Sequence, residues 1–328
     1  MKSAPTSPER VASIDIGTNT ILLLITEVQR GELKTLFDTE TIVRLGEGVQ
    51  KNAILSEEAM QRGFQTLEQY LKRCQEMGVQ KIFAVGTSAL REAKNSALFL
   101  QKVKEKFDLN IDVISGEEEA RLSFLSVARD LETLHGSLLA VDVGGGSTEL
   151  ILGEGDEIIR WVSLPLGIVR FTEKFLISDP VKDEEYGAMV EEIRKQLPHF
   201  PVSEHPFSLV SIGGTGTALA SVEQGLEKFM IEKIHRFVLT REALKTQLSL
   251  YRSKTIEERE KIKGLPSARA DVILAGGTIL YLIMEKFDCS FLRVSAHGVR
   301  YGLIYKKLRN AEYKILPLVA GELNRVKL

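Results

Sequence analysis

The chain has 328 residues, 44% of them hydrophobic and 27% charged, which is the composition of a globular protein with a sizeable core. Its 43 Lys and Arg against 45 Asp and Glu give a formal net charge of −2. That balance argues against a general nucleic-acid binder, which needs a broad positive field.

Cysteine usage and hydropathy exclude further classes. Cys74 and Cys289 lie far apart and outside any C-x-x-C pair, so neither a zinc site nor a disulfide framework is supported. The first ten residues lack the apolar core of a signal peptide, and no stretch approaches the ~18 consecutive apolar residues of a membrane span. We therefore expect a soluble, cytoplasmic protein with no membrane partner and no nucleic-acid partner.

The first half of the chain alternates predicted strands and helices. Apolar residues over 11–25 flank the segment Asp15-Ile16-Gly17-Thr18-Asn19-Thr20, which predicts a strand, an acidic glycine turn and a second strand. A helix is predicted over 56–77, with Ser56 as its N-cap and Gly78 just after its end. The other predictions are strands over 33–37, 41–43, 81–85 and 111–114, loops over 44–48 and 86–91, a helix from Asn95 to 107, and a helix that Ser115 and Glu118 open as a capping box and that ends near 135.

The second half begins with a similar pattern. Two apolar runs, 138–141 and 150–152, flank the octapeptide Asp142-Val143-Gly144-Gly145-Gly146-Ser147-Thr148-Glu149. Downstream we predict strands over 157–163, 208–212 and 291–294, a loop over 213–218, helices over 167–176, 183–197, 241–252, 256–263 and 298–308, one helix over 268–287 interrupted by Gly276-Gly277, and a surface helix over 310–328.

The two acidic turns are related by a shift of 127 residues, which places Asp15 on Asp142, Gly17 on Gly144 and Thr20 on Ser147. A repeat at this scale predicts two similar α/β domains. A length of about two ordinary domains agrees, at roughly 150 residues each. We expect domains at 1–130 and 131–328, with the last helix a candidate to pack back on the first domain. We also expect a ligand cleft between them, where the loops that leave the strands converge.

The composition of the turns indicates their chemistry. Glycine lets another group approach the backbone closely. Exposed N–H groups beside carboxylates and hydroxyls suit a phosphate that is held with a hard divalent cation. A plain glycine-rich β-turn is the alternative for either turn alone, and the second copy favours phosphate binding.

The paired turns resemble the two phosphate loops of the actin/Hsp70/sugar-kinase superfamily. Within it, the sequence resembles the exopolyphosphatase/guanosine pentaphosphate phosphatase family, in its short, two-domain form. The fold implied is α/β, with two tandem actin-like (ribonuclease-H-like) domains. Besides the octapeptide, the matching segments are Arg44-Leu45-Gly46, Thr87-Ser88-Ala89-Leu90-Arg91-Glu92-Ala93, Ser115-Gly116-Glu117-Glu118-Glu119-Ala120-Arg121 and Ser295-Ala296-His297-Gly298-Val299-Arg300-Tyr301-Gly302.

The resemblance implies roles for individual residues. Glu119 is the expected catalytic carboxylate that deprotonates the attacking water, and Asp15, Asp142 and Glu149 are the expected Mg²⁺ ligands. The implied substrates are inorganic polyphosphate, especially shorter chains, or guanosine pentaphosphate, and relatives are often homodimers. Residues expected to bind substrate phosphates are Thr18, Asn19, Arg44, Arg91, Gly144, Gly145, Gly146, Ser147, Thr148, Gly213 and Gly214.

Several alternatives stay open at this point. Glu119 stands in an acidic run at a helix start, where negative charge is stabilising in any case. Arg121 is a further candidate phosphate clamp, Arg269 and Arg300 have a structural role as an equal alternative, and His297 is expected to be a packed loop residue. Leu22 occupies a position where many relatives carry a basic or polar side chain. As alternative functions we consider an ATP-dependent small-molecule kinase of the same superfamily and a non-catalytic polyphosphate or nucleotide sensor.

Overall fold

The structure is a computed structural model that describes residues 8–29, 32–130, 136–197, 200, 207–308 and 314–315. The chain divides into two compact units, Met1–Asp130 together with Val299–Leu328, and Leu131–Gly298. The second unit therefore ends at Gly298, whereas the expected C-terminal domain runs to residue 328.

Strands and helices alternate along both units. The strands are β1 Glu9–Ile16, β2 Thr20–Gln29, β3 Glu32–Ile42, β4 Lys81–Gly86, β5 Ile111–Val113, β6 Ser137–Val143, β7 Thr148–Glu154, β8 Glu157–Leu164, β9 Phe207–Ile212, β10 Val238–Thr240, β11 Phe291–Ser295 and β12 Lys314–Ile315. The helices are α1 Val49–Asn52, α2 Glu57–Glu76, α3 Ser88–Glu92, α4 Ser96–Phe107, α5 Gly116–Asp130, α6 Ile168–Phe175, α7 Asp183–Gln196, α8 Gly213–Glu223, α9 Ile231–Ile234, α10 Arg241–Arg252, α11 Ile256–Glu260, α12 Ile273–Lys286 and α13 Val299–Lys307, with a 3-10 turn at Ser267–Arg269.

The sheet of the first unit has the order β12-β3-β2-β1-β4-β5. Strands β1, β2 and β3 form an antiparallel meander, and β4 and β5 continue the sheet in parallel with β1. One face of β1 and β2 buries Ile14, Ile16, Ile21 and Leu23 against α2 and α4. The apolar positions that alternate along these strands therefore build the core, as the sequence pattern predicts.

The second unit repeats this topology. Its sheet has the order β10-β11-β9-β6-β7-β8, in which β6, β7 and β8 are antiparallel and β9 and β11 run parallel to the first strand. In both sheets the third, second, first and fourth strands of the unit lie side by side in that order, and a strand parallel to the fourth follows, which is β5 in the first unit and β11 in the second. The prediction of two similar α/β halves is confirmed.

Helix ends agree in part with the sequence predictions. Ser56 accepts a hydrogen bond from Ala59 N at the start of α2, and Gly78 follows its end with a φ of 66°. At the start of α5, Ser115 Oγ accepts from Glu118 N at 3.1 Å. Asn95 does not cap α4 with its side chain, because its Oδ1 accepts from Leu55 N instead.

Several predictions of secondary structure were wrong. Strand β3 is continuous, and the loops predicted over 86–91 and 213–218 contain the first turns of α3 and α8. Helix α12 starts at Ile273 and continues through Gly276 and Gly277. A Cβ on Gly276 would lie 2.8 Å from the Thr215 side chain, so these glycines permit close helix packing and do not interrupt the helix.

The C-terminal part of the chain contributes to the first unit. Helix α13 packs against α5 and β1, and Arg300 binds Asp38 of β3 through two hydrogen bonds of 2.8 Å. In the segment predicted as a surface helix, Lys314–Ile315 instead pair with β3 as a strand, and the rest of 310–328 lies outside the described residues. The predicted end of α5 near 135 also lies outside them, and the described helix ends at Asp130.

None of the helices in the described residues is long and apolar enough to cross a membrane.

Candidate active site

The two acidic turns have the same backbone geometry. Gly17 N donates to Thr20 O at 2.9 Å, and Gly144 N donates to Ser147 O at the same distance. A Cβ on either glycine would lie 3.1 Å from the accepting oxygen, so both positions favour glycine for the same reason. The internal repeat therefore extends from topology to the hydrogen bonds of each turn.

The turns differ in the residue that faces the aspartate across the hairpin. Asp15 pairs with Leu22 in the β1–β2 register, whereas Asp142 pairs with Glu149 in the β6–β7 register. Leu22 and Glu149 occupy equivalent positions of the repeat. The second hairpin thus carries two carboxylates and the first carries one, which makes the second the better divalent-cation site.

In the first unit, the turn at Thr18 and Asn19 is fixed by the loop that follows β3. Gly46 N donates to Thr18 O, and both Val43 N and Arg44 N donate to Asn19 O, at 2.9–3.0 Å. Arg44 has a left-handed φ of 50°. A non-glycine residue seldom adopts this conformation without a local reason. Here the conformation places Arg44 beside the two turn residues, so three predicted phosphate ligands lie together.

Polar atoms of this turn lack partners. Thr18 Oγ1 and both side-chain polar atoms of Asn19 are buried and form no hydrogen bond within the part of the chain that the structure describes. Buried polar atoms are normally satisfied, so each orphan needs an explanation. An oxygen-rich ligand that accepts from Thr18 and Asn19 would provide one.

Glu119 lies in the first turn of α5 and is held by Arg91 from α3. Arg91 Nη1 donates to Glu119 Oε2 at 2.6 Å and to Ile114 O at 3.0 Å. The Glu119 side chain is only 12% exposed. Among the described residues the side-chain hydrogen bonds of Arg91 all use Nη1, so its Nε and Nη2 remain available for phosphate oxygens.

Burial and Arg91 act on the pKa of Glu119 in opposite directions. Burial raises the pKa of the carboxyl group above its ordinary value, and the nearby Arg91 guanidinium opposes that rise. A carboxylate with a raised pKa is a better general base near neutral pH than an exposed one. The placement at a helix start alone would explain an exposed acidic residue, and it does not explain a buried one.

In the second unit, α6 braces the glycine turn from behind. The N–H groups of Ile168 and Val169 donate to Gly144 O and Gly145 O at 3.0 Å, and Arg170 Nε donates to Gly146 O at 3.0 Å. Gly167 fits closely beneath the turn, since a Cβ there would overlap Gly145 O. Sequence inspection missed this brace, because none of its residues belongs to a recognisable motif.

In both turns the backbone carbonyl groups accept hydrogen bonds, whereas several backbone N–H groups have no backbone acceptor in the described part of the chain. Among the described residues, the backbone N–H groups of Thr18 and Asn19, and those of residues 145–147, donate to no backbone carbonyl. Adjacent free N–H groups in a glycine turn form an anion-binding concavity. Thr148 differs from its neighbours, because its hydroxyl donates to Leu166 O and the residue is fully buried.

Asp142 and Glu149 provide donors for a metal ion. Gly213 has a φ of 81°, and a Cβ there would lie 2.9 Å from Asp142 Oδ1, so the glycine keeps space open at this carboxylate. Glu149 is 2% exposed and accepts a hydrogen bond from Ser163 Oγ at 2.7 Å. The half-buried Asp142 carboxylate and the buried Glu149 carboxylate fit Mg²⁺, which prefers oxygen ligands.

Arg269 lies beside the glycines at the start of α8. It is 3% exposed, and a Cβ on Gly214 would overlap its guanidinium. The start of α8 therefore lies directly against the Arg269 guanidinium, and helix N-termini favour anions.

Other sequence candidates have clear structural partners. Arg300 binds Asp38, and Arg121 binds Glu117 one turn earlier on α5 at 2.8 Å. His297 is buried and stacks on His235, with ring centroids 4.3 Å apart. His135, His199 and His205 lie outside the described residues.

Comparison with known proteins identifies the family. The model of the Ppx/GppA phosphatase family matches residues 24–311. The chain belongs to this family. A guanosine-5'-triphosphate,3'-diphosphate pyrophosphatase of Aliivibrio fischeri is 35% identical over 308 residues, which are 93% of this chain and 60% of that protein. The chain spans between about half and three-fifths of the length of the curated relatives it matches first.

Solved structures agree. The Aquifex aeolicus member of the Ppx/GppA family is 36% identical, covers 92% of this chain and 98% of its own, and superposes with a TM-score of 0.78. An exopolyphosphatase from Cytophaga hutchinsonii is 28% identical, covers 92% and 99% of the two chains, and has a TM-score of 0.85. The fold is thus α/β with two actin-like units, as the sequence predicted.

Proposed function

We propose that this protein is a Mg²⁺-dependent hydrolase that releases terminal orthophosphate from inorganic polyphosphate and from guanosine pentaphosphate. The observation that carries the proposal is the buried Glu119 carboxylate, held by Arg91 at 2.6 Å in the first turn of α5. Membership of a phosphatase family and the printed names of the relatives support the same chemistry.

Glu119 is the proposed general base. In its ionised form it accepts a proton from a water molecule, whose oxygen then attacks the terminal phosphorus as the phosphoanhydride bond breaks. Phosphoryl transfer depends on positioning and charge stabilisation more than on covalent help from the protein. Arg91 contributes to both, since it orients Glu119 and offers its remaining N–H groups to phosphate oxygens.

The free N–H groups of each turn are proposed to bind phosphate oxygens. In the first unit these are the N–H groups of Thr18 and Asn19, with side-chain donors from Thr18, Asn19 and Arg44, and in the second unit they are those of residues 145–147. Gly213 and Gly214 at the start of α8, next to Arg269, are proposed to bind a further phosphate.

Asp142 and Glu149 are proposed Mg²⁺ ligands, and so is Asp15 at the equivalent position of the first turn. A bound Mg²⁺ would neutralise charge that accumulates on the phosphate oxygens. Ser163 fixes one oxygen of Glu149 and so orients this carboxylate for a ligand.

A kinase and a sensor are the competing functions. Glu119 favours hydrolysis, because a base that activates water has no purpose in a sensor, and a kinase needs an acceptor other than water. Polyphosphate and guanosine pentaphosphate share the terminal phosphoanhydride, so we propose both substrates. A cytoplasmic location and a homodimer stay predictions.

One assay separates these functions. Orthophosphate release is measured from tripolyphosphate, longer polyphosphate, guanosine pentaphosphate and ATP, with Mg²⁺ and with chelator. The proposal expects Mg²⁺-dependent release from the polyphosphates or guanosine pentaphosphate without an acceptor. Phosphate transfer only from ATP to an added acceptor would establish the kinase, and binding without any release would establish the sensor.

A further inference from the structure

Helix α13 meets the helix that carries Glu119 along a defined face. A Cβ on Gly302 would overlap the carbonyl of Leu122, so the two backbones touch at this point. Four residues later on α13, Lys306 Nζ binds Glu118 Oε1 at 2.5 Å, and Glu118 lies four residues before Leu122. Positions four apart share one helix face, so the two contacts place the helices antiparallel and in register.

The start of α13 is anchored to the sheet below Asp15. Ser13 Oγ of β1 donates to Arg300 O at 2.7 Å, and the Arg300 guanidinium binds both oxygens of Asp38 at 2.8 Å. Tyr301 OH donates to the same carboxylate. Helix α13 is thus fixed at its first turn, and its last turn delivers Lys306 to α5.

The first turn of α5 carries three consecutive glutamates, and each has its own cation. Glu117 binds Arg121 of the same helix, Glu118 binds Lys306 of α13, and Glu119 binds Arg91 of α3. Without these partners, three like charges in one turn would repel each other. The three ion pairs draw on three separate elements and offset this repulsion.

We infer that Lys306 is a positioning residue for the proposed reaction. By binding Glu118, it fixes the first turn of α5 against α13 and so keeps Glu119 in position. It also balances the negative charge of Glu118 beside Glu119. This inference rests on the proposed function of Glu119. No family motif includes Lys306, and it contacts the base only through Glu118.

The chain offers a matched control. Lys307 is the next residue on α13, and its side chain is 39% exposed, the same as that of Lys306. Lys307 Nζ lies 3.9 Å from Asp112 Oδ2 on β5 and 5.6 Å from the centroid of the Phe83 ring. Both of these neighbours lie outside α5. Lys307→Met therefore removes the same charge from the same helix without touching Glu118.

The experiment compares Lys306→Met, Lys306→Arg, Lys307→Met, Glu118→Gln and the double variant Lys306→Met/Glu118→Gln. The first readout is the midpoint of the acid limb in the pH dependence of phosphate release from tripolyphosphate. The second is the midpoint of the pH titration of the Glu119 carboxyl carbon by ¹³C NMR, whose signal is assigned because it disappears in Glu119→Gln. Arg91 contacts this carboxylate, Glu117 and Glu118 precede it in the same turn, and their cations are Arg121 and Lys306; only Glu118 and Lys306 are varied.

Lys306→Met leaves Glu118 uncompensated, so both midpoints should move to higher pH by about half a unit, the size expected of one nearby charge at an effective dielectric near that of water. Glu118→Gln removes the like charge and should move both midpoints to lower pH. The double variant and Lys306→Arg should lie close to wild type, and Lys307→Met should match wild type.

The inference is overturned if Lys306→Met lowers the rate without moving either midpoint, or if Lys306→Met and Lys307→Met behave alike. The NMR titration separates this outcome from failure of the proposed function. A wild-type protein that releases no phosphate, yet shows the expected shifts of the Glu119 titration, would sink the function and leave the role of Lys306 in place.

Discussion

Arg91 Nη1 bridges Glu119 Oε2 at 2.6 Å and the carbonyl of Ile114 at 3.0 Å, and so joins the start of α5 to α3. The pair has two consequences. It prevents the Glu119 carboxylate from rotating away, and it partly offsets the cost of burying that charge.

Replacing Arg91 by Met should change the pH dependence of catalysis. Burial raises the pKa of Glu119 and Arg91 lowers it, so removing Arg91 raises the pKa further. The base acts when ionised, so the acid limb of the rate profile should move to higher pH. Initial rates from pH 4 to 9 measure this. Arg73→Met, at a similarly exposed arginine that pairs with Glu76, should leave the limb unchanged. A downward shift in Arg91→Met would contradict the account.

Replacing Gly167 by Ala should damage the second phosphate turn. A Cβ there would overlap Gly145 O and lie 2.5 Å from Gly146 Cα, and backbone atoms cannot move aside cheaply. We expect KM for tripolyphosphate to rise at least about tenfold, equivalent to ~1.4 kcal/mol of lost binding. Gly187→Ala is the matched control, because that glycine lies within α7 with open space around it. The control should keep KM and gain up to about 1 kcal/mol of helix stability. Equal KM values in the two variants would remove the proposed role of the brace.

The sequence predicted this site in its local parts. The two acidic turns, their repeat and the start of α5 depend on neighbouring residues, which a sequence displays directly. The partners of Glu119 and of its neighbour Glu118 depend on contacts between distant parts of the chain, which the sequence does not display. Arg91 is 28 residues from Glu119, and Lys306 is 188 residues from Glu118. Helix α8 begins with Gly213-Gly214-Thr215-Gly216, whose weak intrinsic helix preference predicts a loop. Helix α3 has only five residues, too few for helical periodicity to show in the sequence.

Replacing Glu149 by Gln should weaken Mg²⁺ binding. The change removes one of the two facing carboxylates of the second hairpin and keeps the size of the side chain. We expect the Mg²⁺ concentration for half-maximal activity to rise about tenfold or more, as is typical when a metal site loses a well-oriented group. Calorimetric titration of Mg²⁺ into the protein without substrate gives an independent readout. Glu154→Gln, at the exposed end of the same strand, should match wild type. An unchanged Mg²⁺ affinity in Glu149→Gln would place the ion elsewhere.

Replacing Arg300 by Met should destabilise the first unit. Its side chain is 10% exposed and that of Asp38 is 11% exposed, so the variant leaves a nearly buried carboxylate without its main partner. Breaking such a pair costs about 3 kcal/mol. Urea unfolding should show this loss as a lower midpoint. Arg194→Met removes an exposed arginine from its 2.8 Å pair with Glu285 and should cost less than about 1 kcal/mol. Similar losses in both variants would show that the Asp38 pair is no stronger than a surface pair.

The most direct measurement of the central claim is phosphate release by Glu119→Gln. The amide keeps the shape of the side chain and cannot accept the proton of water, so the rate from tripolyphosphate should fall by at least about 100-fold. Binding of tripolyphosphate, followed by calorimetry, should survive. Glu68→Gln, at an exposed glutamate of α2 that pairs with Lys106, should retain the wild-type rate. An activity of Glu119→Gln within about threefold of wild type would contradict the assignment, since general-base catalysis contributes far more than that.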